Sequence, residues 1–280
     1  MERIMIDAHI HISDDEFNED VDKIIVEAKT VGVKAMVAVA EKFDDFHKII
    51  GLSEKYKNFI VPALGLHPVK PGSHDTESRS VTLEDYQMAE TFLREHHNIL
   101  VAIGEVGLDF TPYNVKSSND KEVQRNIFKK QIQLAREFGL PLNVHSRSAG
   151  RPTIQTLISE GATAVLLHAF DGKVSVARQG VEAGFYFSVP PSVIRSEQKQ
   201  RLVRSIPLSN LLLETDAPAL GPEKQIRNEA KNIEISCQEI ARIKNISVDE
   251  VKESTTANAL RLFPRLTNLY NICDDVIYNF

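Results

Sequence analysis

The chain has 280 residues, 42% of them hydrophobic, and a formal net charge of −6 at pH 7. That length fits one (β/α)8 barrel of roughly 250 residues with little left over, and the acidic balance excludes a protein that grips a long run of duplex phosphates. The two cysteines, Cys237 and Cys273, lack metal or redox spacing and read as reduced packing residues; with no signal-like start and no run near the roughly 18 apolar residues of a membrane span, an intracellular protein of cytoplasm or nucleus is expected.

In chain order, apolar runs alternate with helical patterns. Residues 4–11 open with a strand-like run. Residues 18–31 place Val21, Ile24, Ile25 and Ala28 at helical spacing and stop at Gly32. The valine-rich run 34–40 predicts a buried second strand, followed by a helix over 43–56 and a strand over 59–66. Residues 68–81 are polar and broken by Pro68, Pro71 and Gly72, which predicts a loop. A helix over 82–96 leads to a strand ending at Glu105, and 110–120 is a second polar loop. A helix over 121–138 ends at Gly139, and Pro141 opens the strand to His145. Pro152 suits the first turn of a helix over 151–160. Strands over 163–168, 185–189 and 210–215 alternate with helices over 173–183 and 195–205. Helices over 229–244 and 247–262 close the pattern, the second with Ser247 and Glu250 as a capping box. Eight strands, each followed by a helix, predict an α/β TIM barrel, a single domain over 1–280.

Polar residues cluster at the ends of these runs. His9 and His11 lie two apart, so in a strand both rings share a face. His67, Glu105, His145, His168 and Asp216 each follow a further apolar run, as active-site residues do at the C-terminal mouth of a barrel. His9, His11, Glu105, His145, His168 and Asp216 make six candidate ligands, too many for one tetrahedral ion but suited to two ions sharing a carboxylate. A nitrogen–oxygen set without thiolate favours Zn, Mn, Co or Mg. Two such ions about 3.5–4 Å apart lower the pKa of a bridging water and stabilise attacking and leaving oxygens, as phosphoester hydrolysis requires.

Other residues flank this set. Arg147 suits a two-pronged phosphate contact, with Ser146 and Ser148 as weaker partners. Asp109 reads either as a carboxylate that orients a histidine or as a turn former, and Asp171 as a similar helper. His67 reads as a phosphate or metal-side contact or as a packed loop histidine. Arg227 and Asn228 read as rim residues or as ordinary surface. His47, His74, His96 and His97 read as solvated, and Asp14-Asp15-Glu16 as loop and helix-start charge.

Ile6-Asp7-Ala8-His9-Ile10-His11, Gly65-Leu66-His67-Pro68, Gly104-Glu105-Val106-Gly107-Leu108-Asp109-Phe110, Asn143-Val144-His145-Ser146-Arg147, Leu167-His168-Ala169-Phe170-Asp171-Gly172 and Leu213-Glu214-Thr215-Asp216-Ala217-Pro218 together resemble the signatures of the TatD family. The stretch His145-Ser146-Arg147-Ser148-Ala149-Gly150-Arg151-Pro152, with Pro190-Pro191-Ser192, is similar to the third animal TatD-domain paralogue. The resemblance implies a barrel of the metal-dependent hydrolase superfamily and a deoxyribonuclease of the 3′-to-5′ exonuclease type. It implies one ion on His9, His11, Glu105 and Asp216 and another on Glu105, His145 and His168. It further implies His67 and Arg147 on the phosphate and a substrate role for the loop of Asn228; Asp216, from its own chemistry, reads as both ligand and proton acceptor. Asn228-Glu229-Ala230 departs from the family's Asn-Glu-Pro, which predicts a looser loop there. The expected partner is a DNA end or short single strand, met by a monomer. Two rivals stand: a hydrolase of an amide, lactone or aminoacyl ester on the same metals, and a non-catalytic barrel scaffold. Arg147 and His67 favour phosphate over the first.

Overall fold

The computed structural model describes residues 4–72 and 77–270, so His74 and Cys273 lie outside it. Eight parallel strands run in the order β1 (Met5–Ile10), β2 (Val33–Val39), β3 (Ile60–Leu64), then, past a small hairpin, β6 (Ala102–Gly107), β7 (Leu142–His145), β8 (Val165–Leu167), β9 (Tyr186–Val189) and β10 (Leu211–Leu213). The hairpin pairs β4 (Val69–Lys70) with β5 (Arg79–Ser80) antiparallel. Helices α1 (Val21–Thr30), α2 (Asp45–Lys55), α3 (Leu83–His96), α4 (Ser118–Phe138), α5 (Gly150–Ser159), α6 (Val174–Glu182) and α7 (Glu197–Ser205) separate the barrel strands. Helices α8 (Ile233–Lys244), α9 (Val248–Leu262) and α10 (Pro264–Tyr270) follow β10. This is the TIM barrel that the alternation predicts.

Period-two side-chain alternation builds its two cores. Ile6, Ala8, Ala35, Val37, Val61, Ala63, Leu166 and Leu212 pack among themselves inside the barrel. Met5, Met36, Ala38, Ile60, Leu64, Ile103, Leu142, Val165 and Leu211 turn outward against the helices. The α9–α10 region covers the mouth where the strands begin. Thr256 Oγ1 donates to Ile4 O, Asn258 Nδ2 to Leu211 O, and Arg265 to Leu100 O. Polar chemistry is therefore left to the opposite, C-terminal mouth.

Two strands break their ladder. Between Asp7 and Ile10, β1 advances three residues while its partner advances from Met36 to Ala38. Between Ile103 and Val106, β6 advances three while β7 advances from Leu142 to Val144. Each is a bulge, a device that bends a strand and re-aims side chains, and the two fall on His9 and Glu105.

Several expectations need correction. The 68–81 segment is not all loop but carries the β4–β5 hairpin, whose two-residue strands show no periodicity. Helix α4 starts at Ser118 rather than near 121, because Ser117 and Asp120 form a capping box. The strand expected over 210–215 stops at Leu213, and the residues beyond it leave the ladder to form the site. Helix α7 starts at Glu197 rather than 195, after an unforeseen 3-10 turn at Pro191–Arg195, and a 3-10 turn at Ala230–Asn232 takes the start of the helix expected over 229–244; α10 is also unforeseen. Among the described residues, no helix is long and apolar enough to cross a membrane.

Candidate metal centre

All six candidate ligands and His67 meet at the C-terminal mouth. His9 Nε2 and His11 Nε2 lie 3.2 Å apart. They stand 3.7 and 3.5 Å from Glu105 Oε2, and 3.4 and 3.3 Å from Asp216 Oδ1. The other carboxylate oxygen, Glu105 Oε1, lies 2.7 Å from His145 Nδ1, 2.7 Å from His168 Nε2 and 3.8 Å from His67 Nε2. The His9 and His168 rings stack at 3.8 Å between centroids. Glu105 is thus the hinge of two donor groups.

The hydrogen bonds around the cluster assign which ring nitrogens carry protons. Asn143 Nδ2 donates to Ala8 O, so its Oδ1 is left to accept from His9 Nδ1 at 2.9 Å. Asp109 Oδ2 accepts from His145 Nε2 at 3.1 Å while its Oδ1 accepts from Thr111 N–H. Val69 O accepts from His67 Nδ1 at 2.7 Å. In each ring the remaining nitrogen, His9 Nε2, His145 Nδ1 or His67 Nε2, faces a carboxylate oxygen, where either a proton or a cation can stand between them. Ring nitrogens and carboxylates converging in a buried site fit a divalent metal.

Electrostatics agree. Burial alone would raise the Glu105 carboxyl, but the surrounding histidines hold it well below its ordinary value. Asp216 is likewise held low, against burial, by hydrogen bonds from His11 and His9. Burial lowers His11 and His145, yet hydrogen bonds and negative charge from Asp216 and Glu105, and from Asp109 and Glu105, lift each to about 9. The field that draws protons there also draws divalent cations. His67 falls to about 4 through burial, and His168 to about 3 through burial and the neighbouring His9.

Local chain geometry holds these side chains. Asp216 N–H donates to His9 O, and His11 N–H donates to Ala217 O, each at 2.9 Å. These bonds close the barrel between β1 and the turn after β10, with Asp216 in the left-handed region at φ 54°. Gly107, at φ 141°, lets β6 approach β7 so closely that a Cβ there would sit 2.1 Å from His145 O.

Four further polar residues build the site without an evident sequence signal. Asp7, buried, accepts from Thr215 N–H and Thr215 Oγ1, and burial raises it to about 7. Glu214, buried and raised, accepts from Ala169 N–H and Ser188 Oγ. Asn143 fixes His9, as above. Lys199 donates to Ala169 O at 2.9 Å, and burial lowers its pKa. Asp7, Glu214 and Asn143 stand two residues before His9, Asp216 and His145, inside the motifs that carry the family resemblance, but nothing there marks their roles; Lys199 has no such hint.

The flanking residues divide. Asp109 bonds His145 and so orients it. Ser146, Arg147, Ser148 and Asp171 line a cavity of about 500 Å³ that opens onto His145, His168 and Asp216. Asn228 does not reach that cavity. It is fully buried, its Nδ2 donates to Thr215 O, and its Oδ1 accepts from Glu229 N–H and Asn232 Nδ2. Its amide is taken up in strapping the loop. Arg227 pairs with Asp20 and Glu229 over the Phe17 ring. These bonds, with fully buried Ala230, hold the loop that the missing proline was expected to loosen. His47 is exposed, but His96 and His97 are half-buried, bonded to Phe92 O and Arg94 O and stacked on Phe92 and Phe138.

A parallel barrel with a buried histidine–carboxylate centre at its C-terminal mouth is the architecture of a metal-dependent hydrolase. The TatD related DNase family model matches residues 6–264, and the chain belongs to that family. It is 54% identical to human deoxyribonuclease TATDN3, across 95% of this chain and 96% of that protein. It is 32% identical to the metal-dependent hydrolase YabD of Bacillus subtilis, across 93% and 99%. Its fold matches the crystal structure of YjjV, a TatD homologue of Escherichia coli, with a TM-score of 0.82 at 24% identity, across 94% and 99%.

Proposed function

We propose that this TatD-family hydrolase is a deoxyribonuclease that removes nucleotides from the 3′ end of single-stranded DNA, as a monomer carrying two divalent ions of the Zn, Mn, Mg or Co type. One observation carries the reading: the two oxygens of Glu105 face different donor groups, His9, His11 and Asp216 on one side and His145, His168 and His67 on the other. When bound, such ions supply Lewis acidity and lower the pKa of a shared water.

The chain's own residues do the rest. Glu105 bridges the donor groups and fixes their separation. Asp216, its Oδ1 within 3.4 Å of His9 and His11, accepts the proton released by the attacking water. Arg147 makes no salt bridge among the described residues and lines the cavity, so its guanidinium is free to take phosphate oxygens in pairs. His67, its ring fixed by Val69 O, holds Nε2 3.8 Å from Glu105 Oε1 and offers it to a phosphate oxygen bound beside that carboxylate. A cavity of about 500 Å³ suits a strand end rather than a duplex, and a net charge of −6 agrees. The name of the human relative points to the same polymer.

The test is a 5′-labelled single strand incubated with the metal-reconstituted chain beside Glu105→Ala. Metal-dependent laddering from the 3′ end, absent in the variant, is expected. No cleavage by a chain that carries two ions would overturn the reading and favour a carbon-centre hydrolase.

A further inference from the structure

The cavity beside the metal centre has a second polar wall that the proposed hydrolysis does not use. Ser192, Arg195 and Lys199 line it, all from the turn after β9 and the first turn of α7. Lys199 is 8% exposed, yet its ammonium, with three donors to satisfy, makes one hydrogen bond among the described residues, to Ala169 O. Among the described residues no carboxylate lies within 4.0 Å of it. Ser192 is 2% exposed and its Oγ has no hydrogen-bond partner among the described residues. Arg195 donates through Nε to Gly221 O, which leaves both terminal nitrogens unused among the described residues.

Buried donors without acceptors cost stability. Ser192 and Lys199 are two of them, and exposed Arg195 adds unused donors on the same wall of an open cavity; together they fit a place where an anion completes them. Asp171 also lines the cavity, but it is exposed and alone among the non-ligand side chains there in being acidic, against Arg147, Arg195 and Lys199. The Ala169 carbonyl ties Lys199 to the residue after His168, so the wall adjoins the metal centre directly.

We infer that Ser192, Arg195 and Lys199 form an anion subsite for a second phosphate, the one next to the scissile phosphate in a polynucleotide strand. This rests on the phosphodiesterase reading above and names its substrate class: a strand end with at least two phosphates, preferred over a lone phosphodiester. Arg147 and the metal centre take the reacting phosphate. The second wall sets register and strand preference.

The test compares wild type with Lys199→Met, Arg195→Ala and Ser192→Ala on two substrates. One is bis(p-nitrophenyl) phosphate, with a single phosphate; the other is a short 5′-phosphorylated deoxythymidine oligonucleotide. Loss of a charge-assisted contact should lower kcat/KM on the oligonucleotide about 10-fold more than on the small diester, mainly through KM. Fluorescence anisotropy of the labelled oligonucleotide gives a second readout. For Lys199→Met and Arg195→Ala, the slope of log affinity against log salt should shrink by about 0.7 per lost contact. Ser192→Ala should weaken oligonucleotide binding without lowering the melting temperature, whereas a hydroxyl that only packs would leave binding unchanged. Equal losses on both substrates, or unchanged isotherms and slopes, overturn the subsite. If wild type cleaves neither substrate, the phosphodiesterase reading fails, and the anisotropy titrations still decide the subsite. Arg195 is exposed, so its variant reports even if Lys199→Met does not fold.

Discussion

Asp216 meets His9 twice: its backbone N–H donates to His9 O at 2.9 Å, and its Oδ1 stands 3.4 Å from His9 Nε2. The first contact closes the barrel between β1 and the turn after β10, and the second joins the donor cluster. Barrel closure and metal binding therefore share residues, and each reinforces the other. A ligand that binds only the folded chain stabilises it by about 2.7 kcal/mol at 100-fold over its Kd. For a chain of this size that is roughly 5–10 °C in melting temperature. Chelation should lower the melting temperature by that amount, and Asp216→Ala should reproduce the loss with metal present. Differential scanning fluorimetry with and without chelator checks this; superimposable curves would separate closure from the centre.

Asn143 and Asp109 act on the metal through the histidines they hold. Asn143 Oδ1 leaves the His9 Nε2 lone pair facing inward, and Asp109 Oδ2 does the same for His145 Nδ1. Such outer partners are worth about 10–100-fold in metal affinity. Asn143→Ala and Asp109→Asn should each weaken metal binding to that extent, read by competition with a chromophoric chelator. Unchanged affinity would mean the rings hold their orientation without these partners.

These two partners also mark where the sequence stops being legible. The donors could be read because each interrupts or follows an apolar run, and a histidine or carboxylate there has few packing roles. Asn143 and Asp7 sit inside strands, where nothing distinguishes a polar residue that bonds a ligand from one that bonds the backbone. Lys199 looks like a solvated helix residue until the fold buries it under Ala169. Asn228 shows the converse: a polar residue in a motif reads as a substrate contact, and the fold takes up its amide with Thr215, Glu229 and Asn232, a role that no spacing announces. The bulges at His9 and Glu105 are invisible to periodicity, because an added residue changes the ladder without changing the composition.

The β4–β5 hairpin carries the chain away from His67 and is anchored by Asp85. That carboxylate, 15% exposed, accepts twice from Arg79 and also bonds Thr82 N–H at the start of α3. Burial pushes it up, but Arg79 and Thr82 outweigh burial and hold it at about 2, below the ordinary 3.8. A carboxyl lowered on folding contributes stability above its unfolded value and loses it as pH falls through the folded one. Asp85→Asn should therefore cost about 1 kcal/mol at pH 7, a figure reduced by the exposure of Arg79. The gap between variant and wild type should narrow between about pH 4 and pH 2. Urea titrations at pH 7 and pH 3 measure it; a gap of constant size would show that Asp85 acts by shape alone.

Gly107 tests whether the approach of β6 to β7 sets the metal centre. Its φ is 141°, and a Cβ would lie 2.1 Å from the carbonyl oxygen of His145, a distance no real pair tolerates. Gly107→Ala must push β7 away or distort the bulged strand that bears Glu105, and Glu105 Oε1 lies only 2.7 Å from His145 Nδ1. Gly184 provides the contrast: its φ is 81°, but a Cβ there meets nothing within 4 Å. Gly184→Ala should cost only the left-handed backbone penalty, about 1–2 kcal/mol. Gly107→Ala should cost more than about 3 kcal/mol and weaken metal binding as well, while Gly184→Ala leaves metal binding intact. Melting temperatures and metal titrations of the two variants side by side decide it. Similar modest losses in both, with metal affinity retained, would show that the centre tolerates a wider spacing between β6 and β7.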